Sequence, residues 1–209
     1  MSHTMNRAQI VLTSLVLAAF TVLGVGVVAF MYQQTEPMIQ AQAQAALNRQ
    51  LAAVLPAGFD NDPAATRRAL APDALLGGKG EPRLYQARQA GKVTGVALSV
   101  LAPNGYSGAI HLLVGVTREG TISGVRVVAH KETPGLGDPI EEAKSPWIHS
   151  FMGKSLTDPA GKGWGVKKDG GVFDQFTGAT ITPRAVVQAV QHALQYVEQH
   201  KAELMETTP

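Results

Sequence analysis

The segment Asp174-Gln175-Phe176-Thr177-Gly178-Ala179-Thr180-Ile181-Thr182-Pro183-Arg184 lies in the C-terminal part of the chain and leads into a long amphipathic run. Threonine is favoured at a helix N-cap and proline at the first helical position, so Thr182 and Pro183 predict the start of a helix. Apolar residues then recur at helical spacing, which predicts a helix from Pro183 to Leu204 with one buried stripe.

The residues directly before this helix are small and would leave room for a bound group. Gly178 and Ala179 let another molecule approach the backbone closely. Thr180 would then hold its hydroxyl beside the free N–H groups of the helix N-terminus, where a phosphate is bound favourably. The simpler interpretation is a capped helix after a glycine turn, and this segment alone leaves both interpretations open.

Alternating apolar residues upstream of this segment predict β-strands. The alternation covers residues 94–100, 110–116 and 122–128. Turn signals lie between these runs at Pro103-Asn104-Gly105 and at Glu119-Gly120, so neighbouring strands should pair antiparallel. We therefore expect an α+β fold in which helices cover one face of a small twisted sheet.

Less regular segments connect these elements. Thr35-Glu36-Pro37 predicts the start of another amphipathic helix. Residues 57–79 are rich in Ala, Pro, Gly and Asp, which is typical of a loop, and Pro139–Lys144 predicts a short helix. The run Gly105-Tyr106-Ser107-Gly108 is typical of a turn with a structural role.

The N-terminal part of the chain contains an uncharged apolar run from Ile10 to Met31. At 1.5 Å per residue this run is long enough to cross the roughly 30 Å hydrocarbon core as one helix. Arg7 lies just before the run and Arg49 is the first basic residue after it, so the positive-inside rule places the larger domain on the outer side. The alternative is a cleaved signal peptide with Ala41-Gln42-Ala43 as the cleavage site, although the apolar run exceeds the usual length.

Composition limits the chemistry that the protein can carry out. The chain has 209 residues, a formal charge of +2 and no cysteine. Disulfides, cysteine-ligated iron–sulfur clusters and thioether-linked haem are therefore excluded, and an electron carrier would need a different redox group. The basic residues form no stripe, which argues against a nucleic-acid partner. We find no metal-ligand spacing among the six histidines, no nucleophile elbow and no phosphate loop.

Two motifs and the apolar run together resemble a known family. The pattern Asp-x-x-Thr-Gly-Ala-Thr at residues 174–180 looks like a site where a flavin transferase attaches FMN through a phosphoester. The segment His130-Lys131-Glu132-Thr133-Pro134-Gly135-Leu136-Gly137, which by itself is typical of a rigid surface turn, resembles a second signature of that family. Over essentially its whole length the chain resembles the covalent-FMN-binding G-subunit family of Rnf (Rsx) ion-translocating electron-transport complexes. This family is related to the C subunits of the sodium-pumping NADH:quinone reductases.

The resemblance implies an overall organisation. It is α+β, with a single N-terminal transmembrane helix followed by an FMN-binding domain whose small antiparallel sheet is packed by helices. The bounds that we expect are a cytoplasmic N-terminus at 1–9, a transmembrane helix at 10–31, a helical and loop connection at 32–80 and the FMN-binding domain at 81–209.

The resemblance also implies the residues of a cofactor site. Thr180 would carry FMN covalently, and the isoalloxazine pocket would include the turn after the strand that ends near His130. His130 itself is expected to make a local hydrogen bond, and Trp147 or Trp164 would be available to stack on the ring. No catalytic residue and no metal ligand are implied. The expected cofactor-binding residues are Asp174, Thr177, Gly178, Ala179, Thr180, Glu132, Thr133, Gly135 and Leu136.

The function implied is that of an electron relay within an ion-translocating ferredoxin/NAD oxidoreductase complex of the bacterial inner membrane. The soluble domain would lie on the periplasmic side, and the partners would be the other proteins of the complex and, during maturation, a flavin transferase. Two alternatives remain open on the sequence. One is a membrane-tethered structural or ligand-binding subunit without covalent flavin, and the other is an anchored flavoenzyme that turns over a substrate by itself.

Overall fold

The computed structural model describes residues 7–206. The expected N-terminal segment 1–9 therefore lies outside the described residues except for its last three, and so do residues 207–209 of the expected C-terminal domain. The chain forms two compact units that divide between Ala46 and Leu47. The domain bounds expected at residues 31 and 80 stay a prediction.

Helix α1 spans Arg7–Val54 without interruption and contains Pro37. The helix start predicted at Thr35 is therefore wrong. The Thr35 hydroxyl donates backward to the carbonyl oxygen of Met31 at 2.9 Å, as a threonine does inside a helix, instead of capping the next turn. By length and composition α1 is apolar enough to span a membrane, which agrees with the span expected from the sequence.

The second unit is built on a five-stranded antiparallel sheet whose strands follow one another in chain order. The last three strands confirm the sequence prediction, whereas the first two were not predicted. The second strand is buried on both faces along most of its length, so it lacks the alternation that marks a half-exposed strand. The strands are β1 Arg68–Ala69, β2 Arg83–Gln89, β3 Lys92–Ala102, β4 Ile110–Thr117 and β5 Ile122–Ala129.

Helix α2, Ile181–Gln199, covers one face of the sheet, and the short helix α3, Lys201–Leu204, continues from it. Even-numbered residues of β3 such as Val96 and Leu98 belong to the same buried core as Val186 and Val190 of α2. The predicted C-terminal helix is therefore confirmed, with a break after Gln199. The helix predicted at Pro139–Lys144 is wrong, because only a single 3-10 turn forms there. The 3-10 helices are Pro63–Thr66, Ala74–Leu76, Asp138–Ile140, Pro146–Phe151, Gly161–Gly163 and Lys167–Asp169.

The opposite face of the sheet is covered too, by a helix end that was not predicted to pack there. The last turn of α1, with Leu51 and Val54, packs there against odd-numbered strand residues such as Ala97. Gly115 of β4 and Gly124 of β5 leave room for this turn. A β-carbon at Gly124 would lie 2.8 Å from the carbonyl oxygen of Ala53, and one at Gly115 would overlap the carbonyl oxygen of Val54. We call this surface the glycine groove.

Candidate functional site

Helix α2 begins at Ile181, and Thr180 is its N-cap residue. Thr180 has helical backbone angles (φ −71°, ψ −27°), and its side chain makes no capping hydrogen bond. The N-cap predicted at Thr182 is wrong. Thr182 is fully buried in the first turn, and its hydroxyl donates to the carboxylate of Glu132, because a buried hydroxyl is stable only when it is hydrogen-bonded.

The motif before α2 folds as a tight turn. The N–H of Ala179 donates to the carbonyl oxygen of Phe176 at 3.1 Å, and Gly178 adopts φ +80°, a conformation that favours glycine. A β-carbon at Gly178 would lie 3.9 Å from the Leu136 side chain. The two motifs, which are separated by about forty residues in the sequence, therefore lie side by side in the fold.

The loop after β5 is a second tight turn with its own internal hydrogen bonds. The N–H groups of Leu136 and Gly137 both donate to the carbonyl oxygen of Thr133, at 3.1 and 3.0 Å. Gly135 has φ +78°, and its N–H donates to Asp138 Oδ1 at 2.6 Å. Asp138 was not predicted as part of this turn, although aspartate is a common turn-stabilising residue and this one directly follows Gly-Leu-Gly.

Glu132 is a buried residue, 4% exposed, and it connects three segments of the chain through its carboxylate. Its Oε1 accepts a hydrogen bond from the N–H of Ser107 at 2.9 Å, and its Oε2 accepts one from the Thr182 hydroxyl. Glycines close tightly around this group. A β-carbon at Gly105 would lie 2.9 Å from Oε1, and one at Gly137 would lie 2.9 Å from the β-carbon of Glu132.

A cavity of about 140 Å³ lies where these segments meet. It brings together six of the residues expected from the sequence, whereas Asp174, Thr177 and Gly135 do not line it. The remaining lining residues were not predicted as site residues, although Tyr106 falls in a turn that was expected to be structural. The cavity is lined by Tyr106, Glu132, Thr133, Leu136, Gly137, Gly178, Ala179, Thr180, Ile181 and Thr182.

The rim of this cavity is apolar and exposed. Tyr106 is 69% exposed, Leu136 47% and Ile181 45%. In residues 47–206 only six large hydrophobic side chains are strongly exposed, and half of them lie on this rim. Clustered exposed apolar side chains of this kind are typical of a binding surface. An aromatic residue between two turn glycines was the signal in the sequence that could have identified Tyr106.

The first residue of the C-terminal motif lies at the surface and away from the cavity. The carboxylate of Asp174 is exposed and pairs with Lys167 Nζ at 2.6 Å. Its backbone carbonyl accepts a hydrogen bond from the indole N–H of Trp147 at 2.8 Å, and the Trp147 ring packs edge-on against Phe176. Trp147 is therefore a buried support for the motif. Thr177 is exposed on the turn.

An ion pair fixes the segment before the motif to α2. Arg184 donates to both carboxylate oxygens of Asp169, at 2.7 and 2.9 Å. These hydrogen bonds lower the pKa of the Asp169 carboxyl and raise the pKa of the Arg184 guanidinium. Both groups are exposed to solvent, so the pair contributes orientation more than stability.

His130 makes the local hydrogen bond expected from the sequence. Its Nδ1 accepts from the N–H of Glu132 at 3.0 Å, and its Nε2 lies 2.7 Å from Glu141 Oε1. Because Nδ1 accepts a hydrogen bond, the proton of the neutral ring lies on Nε2 and is donated to Glu141. His130 thus fixes the backbone at the start of the loop.

Comparison with known proteins places the chain in a family. A family model described as FMN-binding domain matches residues 105–195, and one described as RnfG N-terminal region matches residues 1–54.

Several curated proteins are similar over nearly their whole length. The G subunit of an ion-translocating oxidoreductase complex from Pseudomonas aeruginosa is 52% identical over 201 residues, covering 96% of this chain and 94% of that protein. The G subunits from Vibrio cholerae and Cereibacter sphaeroides are each 46% identical, covering 91% and 97% of this chain and 91% of each relative. The chain therefore belongs to the G-subunit family of ion-translocating oxidoreductase complexes.

Proposed function

We propose that this chain is a membrane-anchored flavoprotein subunit that carries FMN on Thr180 through a phosphoester and relays electrons within an ion-translocating oxidoreductase complex. One observation carries the proposal. The Thr180 hydroxyl, free of any capping bond at the N-terminus of α2, lies on a cavity shared with the loop after β5. Both segments fall within the match to an FMN-binding domain.

The residues present fit a flavin that is held at the surface. A cavity of about 140 Å³ is smaller than the roughly 300–1,000 Å³ of sites that enclose a small molecule. The exposed rim of Tyr106, Leu136 and Ile181 supplies the apolar surface that a flat ring requires. The N-terminus of α2 favours an anionic phosphate by about 0.3–1 kcal/mol. A ring that remains partly exposed suits electron exchange with neighbouring proteins.

Attachment would join Thr180 Oγ1 to the phosphorus of the FMN unit. The Thr180 hydroxyl loses its proton as the new P–O bond forms. The bond between the same phosphorus and the leaving phosphate group of an activated flavin nucleotide breaks. A flavin transferase would catalyse this step. Asp174 and Thr177 lie outside the cavity and are exposed, so we propose that the transferase recognises them.

Intact-protein mass spectrometry tests this proposal. We expect the wild-type protein to be heavier than its sequence by one FMN unit, and the flavin to remain with the protein after acid precipitation. Thr180→Ala should lose the added mass completely, because the attacking hydroxyl is gone. Thr180→Ser should keep part of it, since the β-methyl group plays no chemical role.

Gln175→Ala is the matched control, because Gln175 is exposed, lies at a position that the motif leaves open and does not line the cavity. If Thr180→Ala retains covalent flavin, or if peptide mapping places the flavin on another threonine, the assignment is wrong. A colourless wild-type protein of unmodified mass, produced with an active transferase, would favour a structural subunit without covalent flavin.

The redox chemistry would come from the FMN, and the protein would supply attachment, position and electrostatics. By family resemblance the complex couples electron transfer between ferredoxin and NAD to ion movement. The relatives are named as G subunits of an ion-translocating oxidoreductase complex, so we propose that the partners of this chain are the other subunits of such a complex. This chain would be a carrier with no complete active site of its own.

We further propose that α1 is retained as a single span of the bacterial inner membrane and that the FMN-binding domain is periplasmic. Arg7 precedes the apolar run and no basic residue follows it closely, which favours a cytoplasmic N-terminus. Protease added outside spheroplasts should digest the domain. Complete protection, alongside a digested periplasmic marker and an intact cytoplasmic one, would reverse the orientation.

A further inference from the structure

We propose that the buried carboxylate of Glu132 lowers the reduction potential of the flavin at this site, by holding a negative charge beside the ring without a cationic partner. The inference rests on the proposed function, because it assumes that FMN occupies the cavity at Thr180. It assigns to Glu132 an electrostatic role in addition to its contact with the cavity.

The hydrogen bonds of Glu132 come from neutral groups. One carboxylate oxygen accepts from the Ser107 backbone and the other from the Thr182 hydroxyl. Within residues 7–206 no Lys, Arg or His forms an ion pair with this carboxylate. A glutamate residue that is 4% exposed and lacks a cationic partner is unusual, because burial of a charge is costly unless it is paired.

The position of this charge is fixed by the backbone around it. Gly105 and Gly137 approach so closely that a β-carbon at either position would meet the Glu132 side chain at 2.9 Å. The N–H of Glu132 is held by His130 Nδ1. Glu132 cannot move away from the cavity without breaking these contacts, so its charge acts on a bound ring from a constant place.

The effect on the potential follows from charge balance. When an electron arrives from a donor without an accompanying proton, the negative charge in the cavity increases by one. The Glu132 carboxylate opposes that increase, because Glu132 is buried and its interaction with a nearby charge is screened less than an interaction between two exposed groups. Reduction of the flavin is therefore less favourable with the carboxylate present than with a neutral group of the same shape.

The test is a spectroelectrochemical titration of the full-length flavinylated protein in detergent. Glu132→Gln keeps the size of the side chain and one acceptor oxygen but removes the charge. We expect the equilibrium for adding one electron to shift about tenfold toward reduction, which corresponds to an increase of about 59 mV. Because the flavin is covalently held, wild type and variant can be compared at equal occupancy.

Glu142→Gln is the matched control, because Glu142 is a surface carboxylate that pairs with Arg126 and His149 outside the cavity. The reduction potential of the flavin in the Glu142→Gln protein should equal that in the wild type. An unchanged potential in Glu132→Gln, or an equal increase in both variants, would overturn the inference.

Thr182→Val provides an independent test if Glu132→Gln does not yield folded, flavinylated protein. It leaves the carboxylate in place and removes one of its hydrogen-bond donors, so the charge at the ring is less well neutralised and the potential should fall. An unchanged potential in Thr182→Val would contradict the charge effect and indicate a purely structural role. If the wild-type protein carries no flavin on Thr180, the proposed function fails before any titration, and the two failures are thus distinguishable.

Discussion

Replacement of Thr180 by alanine should leave the complex assembled and stop electron transfer through it. The Thr180 side chain makes no capping hydrogen bond and is only partly buried, so its loss should change neither the fold of the domain nor its surfaces for other subunits. The covalent carrier, however, would be missing from the chain of redox centres. We expect the rate of electron transfer by the purified complex, measured from its physiological donor to its acceptor, to fall to background.

A complex with Gln175→Ala is the control, because this change lies within the same segment, at a position that the motif leaves open, and should retain both flavin and activity. The isolated wild-type chain should be reduced by dithionite yet show little turnover with NADH, since its sequence contains no dinucleotide fingerprint. A Thr180→Ala complex that works at the wild-type rate would show that this flavin is dispensable. Rapid NADH oxidation by the isolated chain would make the protein an enzyme in its own right.

The sequence predicted those parts of the fold whose burial is one-sided. Strands β3 to β5 and helix α2 were predicted because apolar and polar residues alternate with a clear period. Strand β2 was missed because it is covered on both faces and therefore lacks alternation. The turn Ala90-Gly91 that joins it to β3, with φ of 50° and 76°, is not a sequence that clearly predicts a hairpin. The continuity of α1 through Pro37 was also missed, because a proline after a threonine is a common helix start.

The residues of the candidate site were predicted by motif, but their interactions were not. Leu136 and Gly178 line the same cavity and so bring together two motifs that were identified separately. The hydrogen bond from Thr182 to Glu132 spans fifty residues, so local capping rules assigned Thr182 to the wrong place. Tyr106 was not predicted as a site residue, since its turn was interpreted as structural. Its position at the cavity rim depends on how distant segments pack, which the local sequence does not show.

The glycine groove contains a residue whose role the alternation of apolar and polar residues does not predict. Gly115 lies in the middle of β4, where glycine is otherwise unfavourable because it has no side chain to pack. Its place is explained by the last turn of α1, whose Val54 carbonyl oxygen occupies the space of a side chain. The Ser123 hydroxyl donates to the same carbonyl and satisfies one of the free acceptors at the helix end.

Gly115→Ala should therefore destabilise the domain strongly. The added methyl group would overlap a backbone atom, which cannot rotate away as a flexible side chain can, so the end of α1 must shift and lose both its packing and the Ser123 hydrogen bond. Overpacking of this kind costs about 3 kcal/mol of unfolding free energy. For a domain of this size the midpoint of thermal unfolding should fall by roughly 6–12 °C.

Gly165→Ala is the matched control for this experiment, carried out on the full-length protein in detergent. A β-carbon at Gly165 would meet its nearest neighbours at 3.5–3.8 Å, which is ordinary van der Waals contact, and the position does not need a positive φ. Its unfolding midpoint should stay close to that of the wild type, because a tolerated glycine replacement changes stability by less than about 1 kcal/mol. If Gly115→Ala and Gly165→Ala have the same midpoint of thermal unfolding, the end of α1 does not pack in the glycine groove in solution. The glycines of β4 and β5 then need another explanation.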